Sequence, residues 1–150
     1  MEMEYSLFCL NIEKNDILKT CRKLGISITA YSPIGRGVLS GIFRSQKDIP
    51  ENDLRRFLPK YSEENFPKIM KLVERLEEIG GAKNATAAQT ALGWLLAQGG
   101  DIVPIPGTKS SARMEENLKA AELVLTEEEV TELRMLAENM NVKGTRYPEA

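Results

Sequence analysis

Three short apolar segments, each separated from the next by a stretch with helical spacing, set what this chain can fold into. Residues 3–8 are apolar and rich in aromatics and read as a strand. Ile26-Ser27-Ile28-Thr29-Ala30-Tyr31 alternates, with Ile26, Ile28 and Ala30 on one face and Ser27, Thr29 and Tyr31 on the other, as a half-buried strand requires. Ile102-Val103-Pro104-Ile105 reads as a short buried strand closed by Pro106-Gly107. Between the first two lies a predicted helix over residues 14–24, with Ile17, Leu18, Cys21 and Leu24 at helical spacing and Gly25 as its stop. Between the second and third lie two more. Residues 65–79 carry an apolar stripe (Phe66, Ile69, Met70, Val73, Leu76, Ile79) that Gly80-Gly81 should break. Thr86 with Gln89 forms a capping box for a helix whose Ala88, Ala91, Leu92, Leu95 and Leu96 face one way until Gly99-Gly100. After the last strand, Ser111 starts a helix running to about Ala121. Thr126 with Glu129 caps a final one with Val130, Leu133, Leu136 and Met140 inward, and a polar, loose tail is expected from Asn141. Strands joined by helical crossovers pair in parallel, so the expected class is α/β with a parallel sheet in a single domain.

Bulk properties narrow the function. A chain of 150 residues that is 42% hydrophobic and 28% charged has the balance of a soluble globular domain. Its 20 basic and 22 acidic residues give a net charge of -2 with no long run of either sign, which argues against nucleic acid or an anionic membrane as partner. No apolar stretch approaches the roughly 20 residues that span a bilayer, and Met1-Glu2-Met3-Glu4 lacks the shape of a signal peptide. Cys9 and Cys21 suggest small core hydrophobes rather than a disulfide framework, so a cytoplasmic setting is expected. Histidine is absent, which removes Ser-His-Asp hydrolysis, imidazole acid–base chemistry and the commonest zinc ligand sets from this stretch of chain; no metal site is expected.

Chemistry is expected at two strand ends, where parallel α/β folds bind ligands. The first is Tyr31-Ser32-Pro33-Ile34-Gly35-Arg36-Gly37: a tyrosine able to offer a flat face, then a Ser/Gly loop able to bring backbone N–H groups to a phosphate. An ordinary strand–helix turn beside a core tyrosine explains the same residues. The second is Pro106-Gly107-Thr108-Lys109-Ser110-Ser111-Ala112-Arg113, with Asn117 one helical turn after Arg113 on the same face. A helix N-terminus already favours an anion, and Thr108, Lys109, Ser110 and Arg113 would add donors and charge. A solvated, capped helix start is the competing explanation. The long polar segment over residues 41–62 exceeds the usual connection length, and such loops tend to be functional or mobile.

Five motifs in register resemble the aldo-keto reductases: Glu4-Tyr5-Ser6; Ala30-Tyr31-Ser32-Pro33-Ile34-Gly35-Arg36-Gly37; Ala88-Gln89-Thr90-Ala91-Leu92-Gly93-Trp94-Leu95-Leu96; Ile105-Pro106-Gly107-Thr108-Lys109; and Glu116-Asn117-Leu118. The resemblance covers essentially the whole chain. It implies the last three βα units of a TIM (β/α)8 barrel plus an extra C-terminal helix starting at Thr126, an incomplete barrel, and NADP(H) as cofactor. It implies that Tyr31 stacks on the nicotinamide and that Ser32, Ile34, Gly35 and Arg36 lie along the pyrophosphate. Thr108, Lys109, Ser110, Arg113 and Asn117 would hold the adenosine 2′-phosphate and adenine, and the segment after Gly41 would fold over the cofactor. Glu2 stands where many relatives have a glutamine on the carboxamide, so that contact is not carried over.

The family's catalytic Asp, Tyr, Lys and His lie in the first four barrel strands, and none of those positions is present, so no catalytic residue is carried over and activity of the isolated chain is not expected. Reduction of an aldehyde or ketone would need a missing half-barrel, which would also bring the carbonyl substrate. Three strands cannot close a barrel, so pairing with that half, homo-oligomerisation through open sheet edges, or marginal stability are the expected outcomes. A non-catalytic dinucleotide-binding module and a truncated product without function stand as alternatives.

Overall fold

A computed structural model describes residues 1–142 and residue 144. Three parallel strands, β1 (Glu2–Glu4), β2 (Ile28–Tyr31) and β3 (Ile102–Pro104), form one sheet in sequence order. Helices α1 (Asn11–Lys14) and α2 (Ile17–Lys23) join the first pair; α3 (Phe66–Gly81) and α4 (Ala87–Leu96) lie between the second. Helices α5 (Ser111–Lys119) and α6 (Glu127–Asn139) follow the sheet. The α/β class with a parallel sheet is therefore as the alternation required.

Register fixes the two faces. Glu2 pairs with Thr29 and Thr29 with Val103, so one face carries Glu2, Glu4, Thr29, Tyr31 and Val103. That face is half-buried to exposed. Met3, Ile28, Ala30 and Ile102 point the other way and pack on the helices. The expectation that residues 102–105 form a buried strand is corrected: only Ile102 is buried, while Val103 and Ile105 are exposed on the open side and edge.

Helix α4 is the hub. Every residue from Ala87 to Leu95 is buried, so it is apolar all round rather than one-faced as its sequence suggested, and only Leu96 reaches solvent. Thr86 and Gln89 complete the expected capping box at its start. At its centre Trp94 is fully buried, edge-on to Tyr5 with ring centroids 5.9 Å apart, and donates from Nε1 to the Val130 carbonyl at 3.0 Å. Helix α6 is tied on by Arg134, which bonds to Glu13 and Gln98 and lies 5.1 Å over the Trp94 ring. Glu13 also accepts from the Tyr5 hydroxyl, and burial, then that bond, push the Tyr5 phenol far up, which keeps it a donor.

Several boundaries differ from the sequence expectation, each for a local reason. The first strand ends at Glu4, because Tyr5 to Leu10 turn through a pair of bonds between Ser6 and Cys9 and bury Tyr5, Leu7, Phe8 and Leu10. Residues 14–24 are not one helix: Asp16 sits in the left-handed region (φ 59°) and divides α1 from α2. Gly25 does stop α2, at φ 67°. Helix α3 takes in Gly80 and ends at Gly81, two residues later than the expected end at Ile79. A Cβ on Gly80 would meet Thr90 Oγ1 at 2.5 Å and the Ala85 carbonyl oxygen at 2.6 Å, so this glycine lets α3 approach α4. Of the expected loose tail, residue 143 and residues 145–150 lie outside the described residues.

Candidate functional site

The turn after β2 is held in an unusual backbone conformation. Ser32 (φ 50°), Gly35 (φ 54°), Arg36 (φ 55°) and Gly37 (φ 89°) all adopt left-handed geometry. For Ser32 and Arg36 this costs on the order of 1–2 kcal/mol each, because Cβ crowds the following carbonyl. Such strain persists only where surrounding contacts impose it. Those contacts come from residues 43–61. The Arg55 guanidinium donates to the Arg36 carbonyl at 2.6 Å, and the Tyr61 hydroxyl to the Gly35 carbonyl at 3.3 Å. Arg55 also pairs with Asp53 and lies 4.6 Å over the Phe43 ring; its hydrogen bond holds the Asp53 carboxyl below the usual carboxylate range. The expectation of a long polar loop is thus corrected: the segment is a run of single helical turns anchored by buried Phe43, Ile49, Leu58 and Tyr61.

The end of β3 leads into α5 through a set of local bonds. Thr108 Oγ1 accepts from the Ser110 N–H at 3.1 Å, and Ser110 Oγ accepts from the Arg113 N–H at 3.4 Å, making Ser110 the N-cap. Lys109 and Arg113 are exposed, and neither makes an ion pair among the described residues. Both sit at the positive end of the α5 dipole.

These two turns form opposite walls of one cleft of about 1000 Å³. Ser32, Ile34 and Arg36 line it from the β2 side; Thr108, Lys109, Arg113 and Asn117 line it from the β3 side. Seven of the ten residues singled out from sequence thus meet at one surface. The other three lie off it. Tyr31 stands half-buried on the open sheet face, Gly35 is buried under the turn against Leu39 and Phe8, and Ser110 is committed to the cap. Glu116 also lines the cleft and was missed, although it falls one turn from Arg113 and next to Asn117. Ser40 and Ile42 line it too, brought there by a turn whose shape no sequence signal announces. Among the described residues no three or more His, Cys, Asp and Glu side chains come together as a metal-ligand set.

The family model described as Aldo/keto reductase family matches residues 1–138. The chain is 49% identical over 148 residues to the aldo-keto reductase str7 of Strobilurus tenacellus, covering 97% of this chain and 44% of that protein. It is 47% identical over 150 residues to the aldo-keto reductase yakc [NADP(+)] of Schizosaccharomyces pombe, covering 99% of this chain and again 44% of the relative. The chain therefore spans less than half the length of these relatives. Among solved structures, a thermostable aldo-keto reductase in complex with the inhibitor epalrestat is similar at 30% identity and a TM-score of 0.65, over 90% of this chain and 38% of that one. A glycerol dehydrogenase from Gluconobacter oxydans shares the fold at a TM-score of 0.83 and 23% identity, over 99% of this chain and 45% of that one.

Proposed function

The chain belongs to the aldo/keto reductase family, and from that premise we propose that it is the NADPH-binding part of a reductase acting on aldehydes or ketones. The observation that carries this reading is the single cleft that joins the strained turn after β2 to the cationic start of α5. Its volume suits an extended dinucleotide, and its two walls differ as the two ends of one would require. Lys109 and Arg113 offer charge and donors to a phosphate ester at the α5 N-terminus, with Thr108 beside them. Asn117 follows on the same helix face, within reach of a base. On the opposite wall Ser32, Ile34 and Arg36 flank the path of a pyrophosphate, with Gly35 keeping the turn close to the core. In this reading Tyr31, at the end of β2 on the open face and outside the cleft lining, stacks on the nicotinamide ring, and Ser110 supports the phosphate end by fixing the α5 start.

When bound, NADPH supplies the hydride. The proton for the resulting alkoxide has no donor among the residues assigned here, so we read this chain as one part of the catalytic unit. In this reading β1, β2 and β3 are the last three strands of a (β/α)8 barrel and α6 its extra C-terminal helix. The open face bearing Thr29, Tyr31 and Val103 is then a barrel interior awaiting its other half, supplied by a missing half-barrel or approximated by a second copy. Two cysteines, Cys9 and Cys21, in a chain of this length suit a cytoplasmic setting. Among the described residues no helix is long and apolar enough to cross a membrane.

Titration of the purified chain with NADPH and NADH, followed by nicotinamide fluorescence, tests the proposal. Preference for NADPH of about tenfold or more is expected, since charge-assisted hydrogen bonds to the extra phosphate are worth roughly 1.5–3 kcal/mol each. Failure of a folded sample to bind either nucleotide, or equal affinity for both, would overturn it.

A further inference from the structure

Helix α5 presents Arg113 and Asn117 to the cleft yet buries no residue of its own; Met114 and Leu118 are exposed. An amphipathic helix ordinarily owes its position to a buried apolar face, so α5 must be located by something else. Gln89, a buried polar residue in the first turn of α4, supplies the contact. Its Oε1 accepts from the Thr86 N–H at 2.8 Å, completing the α4 capping box, and its Nε2 donates to the Glu116 carbonyl at 2.9 Å. Thr86 Oγ1 adds a second tie to the same residue, donating to Glu116 Oε1 at 2.6 Å.

We infer that Gln89 is a positioning residue for the cleft: its amide caps α4 with one end and with the other holds α5 so that Arg113 and Asn117 face the ligand. The inference rests on the reading that α5 binds the 2′-phosphate end of a dinucleotide. A carboxamide can do both tasks without a change of protonation, because it carries an acceptor and a donor on one rigid plane. Gln89 is buried, so if the Glu116 carbonyl moves away its amide N–H has little water to replace that partner.

Gln89→Glu separates the two tasks. It keeps the acceptor that caps Thr86, but faces the Glu116 carbonyl with a carboxylate in place of a donor. The full chain and this variant are compared by amide hydrogen exchange over residues 87–96 and 111–119, and by titration with 2′,5′-ADP. The expected result is faster exchange in α5, unchanged protection in α4, and about tenfold weaker binding of 2′,5′-ADP, the factor that one lost hydrogen bond to a buried group implies. Unchanged exchange in α5, or binding equal to the parent, would overturn the inference. Loss of protection in α4 as well would overturn it too, reducing Gln89 to a structural cap. If the parent itself does not bind 2′,5′-ADP, the nucleotide reading falls, and α5 exchange alone decides whether Gln89 locks the helix.

Discussion

Trp94→Ala is expected to destabilise the chain by about 3–5 kcal/mol, the range for removing a large aromatic from a packed core. Trp94 is 0% exposed at the centre of the hub helix. Its removal leaves the Val130 carbonyl without its indole donor, takes the ring from under Arg134 and opens a void beside Tyr5. Domains of this size are stable by roughly 5–15 kcal/mol in total, so the loss is a large fraction of the whole. Because Trp94 is the only tryptophan in the sequence, urea unfolding is best followed by circular dichroism. The midpoint should fall steeply at nearly constant slope. Trp94→Phe should recover much of the loss but not the indole hydrogen bond. An alanine variant as stable as the parent would mean that α4 does not organise this core.

Lys109→Ala and Arg113→Ala should each weaken NADPH binding by about 10- to 100-fold while changing NADH binding far less, since each removes a charge-assisted contact to a group only NADPH carries. The double substitution should abolish the preference between the two nucleotides. Both side chains are exposed, so the effect is largest at low ionic strength and shrinks as salt rises. Arg113→Lys should recover part of the affinity, keeping the charge but losing the planar fork. Equal losses for NADPH and NADH would instead place these side chains away from the 2′-phosphate.

What could be read from sequence was what local chemistry decides. The capping boxes at Thr86 and Thr126 need only residues three apart, and both are present. The alternation over residues 28–31 states which side chains share a face, and the register agrees. What could not be read depends on partners distant in the chain. Gly80 looks like a helix stop, but it is glycine because Thr90 and the Ala85 carbonyl leave no room for a Cβ. The break at Asp16 is a backbone turn that an apolar repeat cannot reveal. The segment around Arg55 reads as polar loop because its anchors are scattered singly among charges, and its grip on the Arg36 carbonyl is a contact 19 residues away. At the site, spacing on α5 made Arg113 and Asn117 legible and should have drawn in Glu116. Ser40 and Ile42 reach the cleft only through the left-handed turn, whose shape belongs to the strap that imposes it.

The Arg134 contacts bear on how the chain is made. Arg134 bonds to Glu13 across 121 positions of sequence, and Glu13 is also the acceptor for buried Tyr5. A ribosome delivers Tyr5, Glu13 and Trp94 long before it delivers α6. Until residues 127–139 clear the exit tunnel, the Glu13 carboxylate has the Tyr5 hydroxyl but not Arg134, and the Trp94 indole N–H lacks the Val130 carbonyl. A nascent chain stalled before residue 127 should therefore remain open to proteolysis, and one stalled well past residue 139 should not. Synthesis thus leaves the hub unfinished until α6 emerges, and a helix made more than a hundred residues later commits the turn around Tyr5 to its place.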